Sequence, residues 1–407
     1  MNLGTGETGA DPGPLAGLRA AVRGLPASRI REVANAGFGR TDLVRFWFGE
    51  SQKRTPDYIA RAAIEAIGDG DTFYTHNNGQ EALREQIAAY LAGLHRRPFG
   101  LSRVSVTSSG VSALSLTMQA VIDRGDRVVL VTPVWPNIPG IANLLGADIV
   151  RVSLGAREGR WRLDLQALLD VLTPSTRLLI LNSPGNPTGW VLPPEDRQVI
   201  LEHCRRLGIW ILADDVYERL VFDSNVRSAP SFLEIADPED RLLGVNSFSK
   251  AWLMTGWRLG WIVAPAELEV EFGKLIEFNT SCAPGFIQRA GLVALRDGEP
   301  HVAALRSELE ASRRAVVAGL EALPGVEALI PDGGMYVCFR IAGWPDSLTL
   351  ALRLVEEAGL GLAPGVAFGP EGEGWLRWCI AADPAALSEG MERLAGWLRR
   401  GEGARAT

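Results

Sequence analysis

Asn246–Gly260 reads NSFSKAWLMTGWRLG, and the rest of the chain is organised around it. The stretch holds Lys250, one of three lysines in the 407 residues, with Lys53 and Lys274; the other Lys/Arg positions are all arginine. Only a lysine carries a primary amine that can condense with a carbonyl, because an arginine guanidinium stays protonated. Lys53 sits in the polar run SQKRTPD and Lys274 in the amphipathic EFGKLIEF, so both read as solvated side chains. Lys250 instead follows the apolar strand-like segment RLLGVNSF, between serines and a glycine, with Arg258 eight residues on. An amine at a strand end with an arginine close by suits a carbonyl cofactor that carries a phosphate.

Upstream of this stretch the pattern alternates. RVSVTSSG reads as a strand and VSALSLTMQAVI as a helix; RVVLVT, GADIVRVSL and TRLLILNSPGNPTG supply further strands. A helix over Glu195–Leu207, the strand IWILADDVYERL, then RLLGVNS and GWIVA follow. Short continuous apolar runs separated by helices indicate an α/β fold with a mainly parallel sheet covered on both faces. The C-terminal texture differs: VEALIPDGGMYVCFRI and GWLRWCIA read as strands between helices at Ser347–Ala358 and Ala385–Arg399, a smaller α+β unit. Leu15–Ala36 and Pro56–Ile67 are expected to be helical.

In an open parallel sheet, ligands bind beyond the carboxyl ends of the strands. Four polar clusters fall at such ends: Ser108-Ser109-Gly110, Asn182–Asn186, Asp214–Tyr217 and Ser247–Lys250. Ser109-Gly110 opens a helix, whose N–H groups and dipole form an anion seat. Arg258 can add bidentate phosphate contacts. Asp214 ends an apolar strand, and a carboxylate there needs a partner, which a protonated ring nitrogen would be. Asp215 should face elsewhere and cap a helix. Tyr217 is placed either to bond a ring oxygen or to pack in the core, and Trp135 either to stack on a planar ring or to pack.

The bulk numbers narrow the classes. A chain of this length builds a large domain and a smaller one, and 47% hydrophobic with 22% charged residues is ordinary for a globular protein. A net charge of -7 argues against a nucleic-acid surface. Apolar runs are broken well short of membrane-spanning length, and the N-terminus lacks the basic start and apolar core of a signal peptide. It reads as a disordered tail. The four cysteines and four histidines are scattered, so no metal site is expected, and reduced cysteines suit a cytoplasmic protein.

Taken together, SPGNPTG (Ser183–Gly189), DDVYERL (Asp214–Leu220) and SFSKAWLMTGWRLGW (Ser247–Trp261) resemble the class I/II aminotransferases, enzymes of fold type I that use pyridoxal 5'-phosphate. The resemblance runs from about Arg29 to Trp397 and is to the aspartate aminotransferase-like group. It implies a mainly parallel seven-stranded sheet with helices on both faces, plus a smaller α+β domain. The expected division is a tail at 1–14, a large cofactor-binding domain at 55–290, and a small domain from 15–54 with 291–400. The resemblance also implies roles. Lys250 forms the Schiff base and moves the proton, Asp214 pairs with the pyridine nitrogen, Tyr217 and Asn186 bond the ring hydroxyl, and Trp135 stacks on the ring. Ser109, Gly110, Val111, Ser247 and Arg258 hold the phosphate. Tyr74 matches a tyrosine that reaches the neighbouring subunit's phosphate, which implies a homodimer with shared sites. Arg377 matches the arginine that clamps the substrate α-carboxylate, and Gly49 lines that pocket.

Some positions depart from the pattern. Val111 stands where aspartate-using relatives often have a lysine, and Glu277 lies in a region where others place an arginine. Cys282 occupies a common asparagine position. With Trp47 and Phe48 as candidate pocket walls, the expectation leans toward a neutral or aromatic L-amino acid donor and a 2-oxo acid acceptor. A β-elimination (C–S) lyase on the same scaffold is the alternative. A transcription regulator would need a DNA-binding module upstream, for which the residues before Arg29 leave no room.

Overall fold

The computed structural model describes residue 15 and residues 17–401, so the tail expected at 1–14 lies outside the described residues. The central sheet has seven strands: β1 (Val104–Thr107), β2 (Arg127–Thr132), β3 (Asp148–Ser153), β4 (Thr176–Asn182), β5 (Trp210–Asp214), β6 (Leu242–Ser247) and β7 (Gly260–Val263). Their order across the sheet is β1-β7-β6-β5-β4-β2-β3. Neighbours pair in parallel except β7, which runs antiparallel to both β1 and β6.

Side-chain alternation along these strands builds two apolar layers. Val129, Val131, Leu179, Leu181, Ile211 and Trp261 face one core, while Val128, Leu130, Ile180, Leu212, Val245 and Ile262 face the other. Successive residues of a strand point to opposite faces, which is why continuous apolar runs are needed when helices cover both. Helices Asp57–Gly68, Glu81–His95, Pro194–Leu207 and Gly285–Asp297 close the first face; Gly110–Val121, Asn137–Leu145 and Glu269–Thr280 close the second.

A second, four-stranded antiparallel sheet comprises β8 (Val326–Leu329), β9 (Tyr336–Ile341), β10 (Ala363–Pro364) and β11 (Leu376–Cys379), in the order β8-β9-β11-β10. Its core takes in Ile30, Val33, Val44, Phe46 and Trp47 from the N-terminal segment. Val44–Arg45 also pairs in parallel with Leu360–Gly361. The 23-residue helix Glu299–Glu321 joins the two bodies: Val302 packs in the large core, whereas Leu305, Leu309, Val316 and Leu320 pack in the small one.

One expectation needs correction. The helix expected across 15–36 is interrupted, with helices at Ala20–Arg23 and Arg29–Ala36 separated by a segment holding Gly24, a poor helix former, and Pro26, which has no N–H for the ladder. The boundary expected after residue 290 falls inside the helix Gly285–Asp297, whose Ala294 and Leu295 still pack in the large core. Among the described residues, no helix is long and apolar enough to cross a membrane.

β7 lies tightly against the start of the helix Gly110–Val121. A Cβ on Gly260 would come within 2.7 Å of both Asn246 O and Gly110 N, backbone atoms that cannot swing away. Gly260→Ala is therefore expected to destabilise the fold by about 1–3 kcal/mol through overpacking, read as a lowered denaturation midpoint at unchanged m-value. An unchanged midpoint would mean that the close approach is not needed.

Candidate active site

The four polar clusters meet at one cavity of about 490 Å³ at the carboxyl ends of β4, β5 and β6, between the two sheets. Gly110, Val111, Trp135, Asn186, Asp214, Tyr217, Ser247, Lys250 and Arg258 line it from the large body. Gly49 and Arg377 line it from the other side.

At its floor the helix Gly110–Val121 starts, with Ser109 as its cap: the Ser109 hydroxyl accepts from Ser112 N–H at 3.0 Å. Gly110 and Val111 of this first turn line the cavity, and the first N–H groups of a helix lack partners within it. Ser247 closes β6, its Oγ within 2.9 Å of Ser249 Oγ. Arg258 lies alongside with φ 56° and ψ 61°, a left-handed conformation that costs a non-glycine residue on the order of 1 kcal/mol and turns its side chain to the cavity.

Lys250 is half-buried, and its Nζ donates to the Gly49 carbonyl. Burial pushes its amine down to about 8, with the Arg377 and Arg258 charges acting in the same direction and Glu50 opposing. Asp214 is buried at the end of β5, and its carboxylate accepts a 3.4 Å bond from Val216 N–H. Burial pushes this acid up to about 7, and neighbouring Asp215 adds to the shift. Among the described residues Asp214 forms no salt bridge, so a buried acid faces the cavity without a bonded cation.

Arg377 sits on β11 with 2% exposure. It donates to Asn186 Oδ1 at 2.9 Å and to the Trp47 carbonyl, and lies over the rings of Tyr336 at 4.4 Å and Phe368 at 4.8 Å. Among the described residues its Nε has no hydrogen-bond partner. The Tyr217 hydroxyl meets that of Tyr336 at 2.7 Å, and burial raises the pKa of both phenols.

Other positions singled out in the sequence lie off this cavity. Tyr74 is 88% exposed and does not line the cavity of its own chain. Asp215 caps no helix; it is buried and accepts from the Ser231 hydroxyl at 2.7 Å. Glu277 also lies off the cavity, accepting from Asn77 at 3.1 Å, and Cys282 Sγ accepts from Thr75 N–H. The sequence reading missed Tyr336, although the glycine pair just before it marked a turn feeding an inward tyrosine. Arg31 and Glu50, both exposed at the cavity, were also missed, and an isolated surface charge gives no signal in sequence. No group of three or more His, Cys, Asp or Glu among the described residues is arranged to hold a metal ion.

The family described as aminotransferase class I and II matches residues 46–394. An aspartate aminotransferase of Pyrococcus horikoshii is 32% identical over 373 residues, spanning 91% of this chain and 94% of that protein. An arginine–pyruvate transaminase of Pseudomonas aeruginosa is 33% identical over 354 residues, spanning 85% and 88% respectively. Among solved structures, an aromatic aminotransferase from Pyrococcus horikoshii superposes with a TM-score of 0.83 at 30% identity, over 91% of this chain and 100% of that one. A Thermus thermophilus aspartate aminotransferase mutant gives 0.86 at 30% identity, over 93% and 99%. The chain belongs to the class I and II aminotransferases, fold type I transaminases that depend on pyridoxal 5'-phosphate.

Proposed function

We propose that this transaminase holds pyridoxal 5'-phosphate in the cavity and exchanges an amino group between a neutral or aromatic L-amino acid and a 2-oxo acid in a ping-pong cycle. One observation carries the reading: a single cavity holds an amine pushed down to about 8 and a buried acid pushed up to about 7. Such opposed shifts mark functional acids and bases.

The residues fit this cofactor. Asp214 lacks a cation, and a protonated pyridine nitrogen is one. The helix start at Gly110, the Ser247 hydroxyl and Arg258 are donors suited to a phosphate. A Cβ on Gly110 would come within 2.9 Å of Ser247 Cβ, so glycine keeps the two donor groups close. Trp135 offers a flat wall, while Tyr217 and Asn186 are polar groups for a ring hydroxyl. When bound, the cofactor supplies a carbonyl carbon to take the amino group and a ring that accepts electrons from the substrate Cα.

The chain does the rest. Arg377 binds the α-carboxylate, its plane fixed by Asn186 and the two rings. Lys250, with an amine near 8, is partly neutral around neutral pH and takes the proton from the substrate Cα before returning it. Asp214 keeps the ring nitrogen protonated. Ile30, Trp47, Phe48, Val111 and Leu114 supply an apolar wall that supports a neutral or aromatic side chain. A homodimer belongs to the same reading: Phe73, Tyr74 and Phe278 are exposed, and Thr75 bonds Cys282 beside the helix that ends at Thr280. A sedimentation mass of one chain would remove it. The apolar clusters support two domains, with the division after Asp297.

The direct test titrates the visible band of the holoenzyme with single L-amino acids. A neutral or aromatic amino acid is expected to bleach it and a 2-oxo acid to restore it. Persistence of the band with release of pyruvate and ammonia would replace transamination by β-elimination. Lys250→Ala should remove the Schiff-base absorbance and lower turnover by roughly 10⁴-fold; a variant that kept the band would overturn the assignment. Arg377→Lys keeps the charge but loses the planar fork, so KM for the amino acid should rise about 10- to 100-fold with cofactor still bound. Loss of cofactor instead would mean that Arg377 serves another group.

A further inference from the structure

Behind the Asp214–Tyr217 loop, outside the cavity, lies a buried cluster that the mechanism above does not use. Glu218 Oε1 accepts from Asn246 Nδ2 at 2.6 Å, and Glu218 Oε2 lies 3.6 Å from His95 Nε2. On the other side of the ring, His95 Nδ1 lies 3.7 Å from Glu234 Oε1. Glu218 and the His95 ring are almost wholly buried. A neutral imidazole presents one donor and one lone pair, so only the doubly protonated ring suits two carboxylates, one at each nitrogen. The raised pKa of His95 follows from Glu234, Glu218 and Asp215, which outweigh the opposing effect of burial.

The cluster connects to the cavity through one amide. Asn246 Oδ1 accepts from the Ser247 backbone N–H at 2.7 Å, while its Nδ2 faces Glu218. An ionised carboxylate only accepts, so Glu218 fixes which end of the Asn246 amide faces Ser247. A protonated Glu218 is a weaker acceptor, so its bond from Asn246 Nδ2 loosens and the amide is held less firmly against the Ser247 N–H. We propose that Glu218, braced by His95, is a positioning residue for the phosphate of the cofactor, acting through Asn246 on Ser247, so that phosphate grip depends on Glu218 being ionised. The proposal rests on the cofactor reading above.

The charged and titratable groups around Glu218 come from several elements. His95 and Tyr90 lie on the helix Glu81–His95, and Asp215 and Arg219 on its own loop. Glu234 belongs to the turn Phe232–Glu234 and is bonded by Arg197 from Pro194–Leu207; Glu299 pairs with Arg219. Burial pushes the Glu218 acid up to about 7, with Asp215 adding to the shift and His95 and Arg219 opposing it. Glu218 thus takes up its proton at a higher pH than an ordinary glutamate does.

The experiment measures the dissociation constant of pyridoxal 5'-phosphate for the wild-type apoprotein and Glu218→Gln across about pH 5.5–8.5, with the ³¹P shift of the bound phosphate as a second readout. Wild type is expected to bind about tenfold more tightly than the variant near pH 8, the advantage shrinking toward unity as Glu218 protonates below pH 7. Titrations of Lys250 and Asp214 are common to both proteins and leave the ratio unchanged. His95→Asn, which keeps Glu218 but removes its cation, should move the midpoint of the wild-type transition upward and serves if Glu218→Gln does not fold. A ratio that stays constant with pH, or an unmoved midpoint and ³¹P shift, would reduce the cluster to a purely structural role. Failure of the wild-type protein to bind the cofactor at any pH would instead remove the cofactor reading itself.

Discussion

The buried guanidinium of Arg377 is the constraint on which the arrangement turns. A charge taken out of water needs partners, and its partners come from distant stretches: the Trp47 carbonyl from the N-terminal segment and Asn186 from the loop after β4. Tyr336 and Phe368 close over its faces from the small sheet and its neighbouring turn. Satisfying one side chain therefore fixes how the N-terminal segment, the small sheet and the large sheet meet. The cavity is the space left between them, and its binding groups face inward because the same contacts hold both walls.

Asp214 and Lys250 express a related principle with opposite sign. Burial makes each charged form costly, and it lifts the acid while lowering the amine. Among the described residues none forms an ion pair with Asp214, and its own neighbour Asp215 deepens the problem. Asp215 is in turn drawn back from the cavity by the Ser231 hydroxyl and the charges around His95. The two adjacent aspartates thus divide the work by direction, one into the cavity and one into the packed interior behind it.

Much of this was legible in sequence. Continuous apolar runs ending in polar clusters marked the parallel strands, because a strand buried on both faces has no room for alternation until it reaches the sheet edge. Lys250, Asp214 and Asn186 could be placed for that reason, and the structure brings all three to one cavity. Arg377 was legible only through family resemblance, since an arginine on a short strand carries no local sign of full burial. Tyr336 and the cluster of His95, Glu218 and Glu234 escaped altogether. Their partners are far apart in the chain, and the long-range contacts that pair them leave no spacing to read. The break before Arg29 had a sign in the sequence, because Pro26 lacks the N–H that a helix interior needs.

The helix Glu299–Glu321 has a mechanical meaning beyond packing. Its first turn is set in the large core through Val302, and nearly all its remaining apolar contacts belong to the small one. At 23 residues it is a rod of about 35 Å. A rotation of only about 5° at its fixed end would sweep the far end through about 3 Å, the scale on which a cleft admits or sheds water. The residue preceding the rod, Gly298, has a Cβ position that would fall 2.1 Å from Ala294 O and 2.8 Å from Trp252 Nε1. The helix start is therefore tightly packed, and any rotation there would be magnified along the rod.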